Sequence, residues 1–178
     1  MAARMTYDLT DEPTGDLYRS LLDFALTHCT EALLVTGRGE LPLSILTLLD
    51  TLGPHLIASG ERRDWPGTKL LSGGAKLWTY RYGGEVAEVL KDATTGLYRW
   101  QQPDLPEDLC LLRGPGNVWL GSVAHEAVAW LELTDAEASS LTTALPALTE
   151  LLAPSRRTGT ELPDVEPART PRSKTKTT

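Results

Sequence analysis

Two runs of alternating residues lie late in the chain, at 118–123 and 127–133, on either side of a His-Glu pair. A period of two is typical of β-strands, in which successive side chains point to opposite faces. The first run would place Val118 and Leu120 on the same face of its strand. Together the runs predict an antiparallel hairpin that turns at or near the His-Glu pair.

Other segments have the patterns of strands and helices. Short apolar or alternating stretches predict strands at 31–36, 55–59, 76–82 and 109–112. Apolar residues at helical spacing predict helices at 13–29, 42–52, 85–93 and 135–152. The second helix is apolar nearly all round, so we expect it to be well buried. Thr134 and Glu137 have the form of a capping box, and Pro146 should kink or divide the last helix.

The elements mix without a regular strand–helix alternation, which favours the α+β class. We expect a single domain at 13–152, with a mixed or mainly antiparallel sheet of about five strands and helices packed on one face. Residues 1–12 lack an apolar pattern and are predicted to be disordered. Residues 153–178 are rich in Pro, Thr and basic residues and predict a disordered tail. The loop at 101–107 holds two prolines and should cover a sheet edge or rim.

Charge is distributed unevenly along the 178 residues, whose formal net charge is −7. From Ala153 onward there are six basic and three acidic residues, so the tail carries +3 and the remainder −10. An acidic body argues against nucleic-acid binding and favours, if a protein partner exists, a basic one. No apolar run is long enough to span a membrane and no secretory leader is evident, so a cytoplasmic location is the expectation. Cys29 and Cys110 should then be buried free thiols.

Few residues are candidates for chemistry. His28 lies on the apolar side of a helix, which favours a core or rim position, and nothing near His55 indicates a site. His125 and Glu126 fit either a structural turn or a binding site, since turn side chains can reach a partner. Adjacent strand residues point to opposite faces, however, and make a poor acid–base pair.

The sequence contains few motifs that indicate chemistry. The spacing of His and Cys matches no metal site, and no Walker, dinucleotide or nucleophile-elbow motif is present, so we predict neither a metal nor a cofactor. Ser72-Gly73-Gly74 fits a turn better than a phosphate cradle. Glu107 and Asp108 are paired carboxylates, although capping of a short helical turn explains them as well.

Three of the five tryptophans lie beside Pro or Gly loops, where Trp either anchors an interface or covers the open end of a small core. Both alternatives stay open at this point. The candidate binding residues are Trp65, Trp100, Arg113, Trp119, His125 and Glu126.

Several short sequence motifs resemble those of a family of small uncharacterised bacterial proteins, some of which carry a stage III sporulation label. The resemblance covers roughly residues 17–141, in WPGT from Trp65, YxWxxPxLPEDL from Tyr98, WLxSxAHE from Trp119 and LELT from Leu131. The label implies a membrane-anchored component, and this sequence shows no anchor, so the label is not carried over. The family resemblance implies no activity and no catalytic residues.

Two hypotheses about function follow. The first is a non-catalytic interaction module of the immunity or accessory type, supported by the acidic body, the loop tryptophans and the absence of a catalytic constellation in the sequence. The second is a small-molecule binder or enzyme with a pocket near Trp65, Trp100, Arg113 and His125.

Overall fold

The computed structural model describes residues 2–156, which form one α+β domain. Ten strands occur within these described residues: β1 (Arg4–Leu9), β2 (Glu31–Thr36), β3 (Leu56–Arg62), β4 (Asp64–Trp65), β5 (Thr68–Lys69), β6 (Ala75–Arg81), β7 (Glu107–Leu112), β8 (Val118–Val123), β9 (Val128–Thr134) and β10 (Leu152–Pro154). Eight of them form an antiparallel sheet in the order β10-β1-β9-β8-β7-β2-β6-β3, and β4 and β5 form a separate hairpin. The α+β prediction is confirmed, but about five strands was too few.

The two main-sheet strands that the sequence did not predict are β1 and β10, and both lie in segments expected to be disordered. Residues 4–9 pair with β9 and with β10, which corrects the disordered N-terminus at 1–12. Only Leu9 of β1 is buried, so the strand is held by ladder hydrogen bonds and gives no strong apolar pattern. The predicted tail at 153–178 begins inside β10, and its part from residue 157 lies outside the described residues.

In the described part of the chain, five α-helices accompany the sheet: α1 (Gly15–Ala25), α2 (Leu43–Leu52), α3 (Gly84–Ala93), α4 (Asp135–Ala144) and α5 (Pro146–Thr149). The buried side chains of all five join one apolar cluster with one face of the sheet. Pro146 divides the last helical segment, and Thr134 and Glu137 form the capping box, both as predicted. None of the helices formed by residues 2–156 is long and apolar enough to cross a membrane.

Helix α2 corrects the prediction of a well-buried helix. Ile45, Leu49 and Leu52 are buried, but Leu43 is 77% exposed and Leu46 is 48% exposed. An apolar sequence on all sides therefore does not mean that all sides are covered. Part of this helix presents leucine to solvent.

The second face of the sheet has its own apolar cluster, which includes Val35, Cys110, Val123 and Trp130. The β4–β5 hairpin supplies Trp65 to this cluster. The hairpin thus covers part of the face opposite the helices, although β4 and β5 are only two residues each.

Strand β8 contains an irregularity that the alternating pattern did not show. Leu111 pairs with Leu120, but its neighbour Leu112 pairs with Val118, so two steps along β8 match one step along β7. Such a bulge shifts the alternation of side chains by one residue. Val118 therefore belongs to the cluster under the hairpin and Leu120 to the helix-side cluster, which corrects their predicted placement on one face.

The Pro-containing loop at 101–106 covers a rim and not an edge. The strand that it leads into, β7, lies inside the sheet between β8 and β2. Gln102 Oε1 accepts a hydrogen bond from the Gly37 amide at 2.6 Å, and Gln101 Nε2 donates to the Ala124 carbonyl at 3.2 Å. The loop therefore bridges the ends of β2 and β8.

Candidate functional site

Asp108 organises the rim at which β7 begins. One of its carboxylate oxygens, Oδ2, accepts a hydrogen bond from Trp65 Nε1 at 2.8 Å, and the other, Oδ1, accepts one from the Ala124 amide at 2.9 Å. The Asp108 amide donates to the Trp100 carbonyl at 3.2 Å. This single residue therefore joins the β4–β5 hairpin, the Pro-containing loop and the turn after β8.

The environment of Asp108 indicates a structural role. The residue is 1% exposed and its φ is +56°, in the left-handed region that Asp tolerates better than most side chains. A buried carboxylate whose two oxygens both accept N–H bonds positions its donors and cannot reach a substrate. The capping of a helical turn suggested by the sequence is wrong at this position, because Asp108 lies in β7.

His125 and Glu126 lie in the turn between β8 and β9, as the hairpin pattern predicted. Their side chains are more than half exposed, and His125 Nε2 lies 3.7 Å from Glu126 Oε1. Burial raises the pKa of the neighbouring Glu107 carboxyl, Asp108 raises it further, and His125 opposes both. The pair is thus presented to solvent on the same rim as Asp108.

Arg113 and Trp119 lie at the opposite end of β7 and β8. Arg113 binds Glu137 through two hydrogen bonds, at 3.2 and 2.8 Å, and Arg113 Nη1 donates to the Val118 carbonyl at 2.8 Å. Trp119 is fully buried and stacks on His28, with ring centroids 5.7 Å apart. These contacts attach α1 and α4 to the sheet, which is a structural role.

The six candidate binding residues therefore do not form one site. The structure places Trp65, Trp100 and Trp119 in the core. Trp65, the Trp100 backbone and the turn that carries His125 converge on Asp108. Arg113 follows the far end of β7, roughly 16 Å away at about 3.3 Å per strand residue, so it does not line a pocket with them.

A cleft that the sequence did not indicate lies at the end of β3. Its volume is about 320 Å³ and its lining, here called the arginine cleft, consists of Arg38, Glu61, Arg62, Arg63, Gly73 and Gly74. These residues come from three separate segments, which the pairing of β6 with both β2 and β3 brings together. The sequence showed a charged stretch at 61–64 and a turn at 72–74, but no signal that they meet.

Strand β3 is also one edge of the main sheet. Among residues 2–156 it pairs with β6 alone, and six of its seven residues are exposed. Leu56 and Ile57, at its start, are 41% and 49% exposed. An uncovered edge presents a row of free backbone N–H and C=O groups to which another chain can add.

No group of three or more His, Cys, Asp or Glu side chains within residues 2–156 is placed to hold a metal ion. Comparisons of the chain with protein-family models, with curated proteins and with solved structures found no match.

Proposed function

We propose that this protein is a non-catalytic interaction module of the accessory or immunity type, which binds an extended segment of a protein partner along β3. The observation that carries the proposal is the long, exposed edge that this strand offers. Addition of a strand to a sheet edge is a common mode of peptide recognition, in which backbone hydrogen bonds provide much of the affinity.

The two edges of the sheet differ in a way that supports this choice. The other edge, β10, has three residues and ends in Pro154, and short strands and prolines are the usual protection of an edge. β3 has seven residues and carries small or apolar side chains from Leu56 to Gly60. Its protective features are a register irregularity between Leu56 and Ala58 and the charged residues Glu61 and Arg62 at its end, and the strand between them is regular.

Exposed leucines on the preceding element provide an apolar surface. Leu43 and Leu46 belong to α2, which leads into β3 through a short turn at 53–55. Within β3 itself, Leu56 and Ile57 are exposed beside the free backbone groups of the edge. A partner that adds a strand to β3 can bury apolar side chains as well as backbone groups.

A photo-crosslinking amino acid at position 57, introduced in the organism of origin, tests the proposal. The same amino acid at Thr10, beyond the opposite side of the sheet, is the matched control. We expect position 57, but not position 10, to capture a partner, which is then purified and titrated against the full chain. The proposal fails if binding of that partner leaves hydrogen exchange of the β3 amides unchanged.

A pair of proline variants separates edge binding from folding. Neighbouring amides of a strand point alternately toward the paired strand and away from it. One of Ala58→Pro and Ser59→Pro therefore removes a hydrogen bond to β6, and the other removes only an outward N–H. We expect one variant to lose stability, and the other to keep its melting temperature and lose partner binding. A stable variant that binds normally would contradict addition at this edge.

A further inference from the structure

We infer that the arginine cleft binds the carboxylate of an acidic residue in the segment that adds to β3. This inference rests on the proposed function, because the cleft lies at the end of that strand: Glu61 and Arg62 belong to β3, and Arg63 follows it. A partner strand that runs along β3 must therefore pass the cleft at one of its ends.

Two glycines shape the wall of the cleft. Gly73 has a φ of +76°, a conformation that L side chains rarely adopt. A Cβ at Gly74 would lie 3.1 Å from Arg38 Nη2 and 3.2 Å from the Arg62 carbonyl oxygen. The missing side chain lets the Arg38 guanidinium lie directly against the backbone. The turn therefore serves to hold an arginine, a role that its sequence did not reveal.

The three arginines are held in different ways. Arg38 Nη2 pairs with Glu61 at 3.1 Å, and Arg62 Nη2 lies 3.7 Å from Asp64. Arg63 Nε donates to the Gly73 carbonyl at 3.1 Å, which orients its guanidinium. Its two Nη groups have no partner within residues 2–156. A guanidinium with free, oriented donors binds a carboxylate well, because the two planar groups match.

The charge of the cleft selects the ligand. Three arginines line the cleft, and Glu61 and Asp64 pair with two of them, so Arg63 leaves the cleft with a local charge of +1 on a body of charge −10. An anionic group entering the cleft gains attraction chiefly from Arg63, because Glu61 and Asp64 offset the charges of Arg38 and Arg62. The acidic body can still steer a partner that is basic overall, while the cleft fixes the position of an acidic residue within it.

Charge also argues against two ligands that this protein itself could supply, namely its own C-terminal segment and a second copy of the chain. Residues 157–178 contain five basic and three acidic residues, so they match the cleft poorly. A second copy pairing antiparallel along β3 would set Leu56 of one strand opposite Arg62 of the other. The strand itself carries no carboxylate at that end, and the nearby Glu85 already pairs with His55 at 3.0 Å. An acidic segment of a different protein is the better match.

Peptide titrations of the isotope-labelled full chain test the inference by nuclear magnetic resonance. The probes are capped seven-residue peptides of alternating Val and Thr with one Glu, placed at either end to cover both strand directions. Each has a matched peptide with Gln in place of Glu. We expect one Glu peptide to shift the β3 and Gly73–Gly74 amides and to bind about tenfold more tightly than its Gln match, since charge-assisted hydrogen bonds are the stronger kind.

Arginine variants assign the effect to the cleft. The Arg63→Gln variant should bind the Glu peptide with the same affinity as its Gln match. The Arg38→Gln variant should bind the Glu peptide more weakly than the unchanged protein does. Arg4→Gln, which changes the net charge equally on β1, is the control and should leave binding unchanged. Melting curves of all three variants show whether each is folded.

These experiments distinguish failure of the inference about the cleft from failure of the proposed function. Equal binding of Glu and Gln peptides along β3 would overturn the role of the cleft and leave the proposed function standing. Failure of all peptides, together with failure of the position-57 crosslink, would overturn the proposed function itself. Self-association that the outward-facing proline variant abolishes would assign the edge to a second copy and would likewise overturn the inference.

Discussion

Trp65 donates its indole N–H to Asp108 at 2.8 Å, and this contact anchors the β4–β5 hairpin to the sheet. The hairpin is too short to hold its own position, since each of its strands has two residues. Its Trp65 ring is buried against the second face of the sheet. The Asp108 carboxylate, at the start of the central strand β7, therefore holds in place the hairpin that covers this second face of the sheet.

Replacement of Asp108 by Ala should be strongly destabilising. Trp65 Nε1 and the Ala124 amide would lose their acceptor in a buried site, and each unsatisfied donor costs about 1–3 kcal/mol. We expect the free energy of unfolding to fall by about 2–4 kcal/mol, measured by urea denaturation. Asp108→Asn keeps an acceptor oxygen and tolerates the positive φ, so it should lose less.

A double-mutant cycle isolates the contact between the two side chains. Trp65→Phe removes the donor and keeps an aromatic ring in the cluster. If the hydrogen bond couples the residues, Trp65→Phe with Asp108→Ala should be less destabilising than the sum of the singles by at least about 0.5 kcal/mol, because Asp108→Ala leaves no acceptor for the indole N–H. Additive effects would show that the ring, and not the hydrogen bond, anchors the hairpin.

Replacement of two strand glycines by alanine should have opposite effects on the stability of the protein. A Cβ at Gly121 would clash with the indole ring of Trp130, whereas a Cβ at Gly60 meets nothing within 4 Å. We expect Gly121→Ala to lower the free energy of unfolding by about 1–3 kcal/mol through overpacking. Gly60→Ala should raise it by up to about 1 kcal/mol, because Gly weakens a strand interior. Equal effects would contradict the packing of Trp130 over β8.

The two cysteines should be unreactive in the folded protein. Both are buried free thiols, as the sequence predicted, and burial raises the pKa of Cys110 to about 12. Because the thiolate is the reactive form, Ellman's reagent at pH 8 should label neither residue appreciably until denaturant is added. The variants Cys29→Ala and Cys110→Ala identify the source of any signal. Rapid labelling of the native chain would show that one thiol is accessible.

The local patterns of the sequence predicted the elements that bury side chains. The strands at 31–36 and 76–82 and the hairpin after residue 118 were recognisable because apolar residues repeat along them. β1 and β10 were not, because they bury little and are held by backbone hydrogen bonds to each other and, for β1, to β9. Backbone hydrogen bonds between strands do not depend on particular side chains, so they produce no recognisable sequence pattern.

The candidate sites were harder to predict, because they depend on contacts between distant segments. Asp108 gains its role from Trp65, 43 residues earlier in the chain. The arginine cleft needs Arg38 and Gly74 to meet through the pairing of β2 with β6. The loop tryptophans fitted either an interface or the cover of a small core, because the sequence alone does not show whether a ring is buried; the structure places them in the core.

Glu137 should give the folded state a defined acid sensitivity. Burial alone would raise the pKa of its carboxyl, but hydrogen bonds from Arg113 and Thr134 outweigh this and lower the pKa below its usual value. The unfolded state then binds more protons, so stability rises with pH across this window. The contribution is present above the unfolded pKa of about 4.3 and is lost as pH falls through the lower folded value.

Comparison with Glu137→Gln measures that contribution. The difference in unfolding free energy between the two proteins should be constant above about pH 5 and should shrink as the pH falls further. Glu150→Gln removes one negative charge from an exposed position and is the charge-matched control. A difference that does not change with pH would show that the carboxylate makes no net ionic contribution.

Two truncations test whether β10 belongs to the domain. A chain ending at Arg156 keeps β10, whereas a chain ending at Leu152 keeps only its first residue and loses the rest of the pairing with β1, including the hydrogen bond from the Ser155 amide to the Thr6 carbonyl at 2.9 Å. Because each such bond contributes about 0.5–1.5 kcal/mol, the shorter chain should be less stable by about 1–3 kcal/mol. Both truncations lack residues 157–178, so only β10 and its flanking residues distinguish them. Equal melting temperatures would mean that the sheet effectively ends at β1, and β1 would then be a second exposed edge that competes with β3 for an added strand.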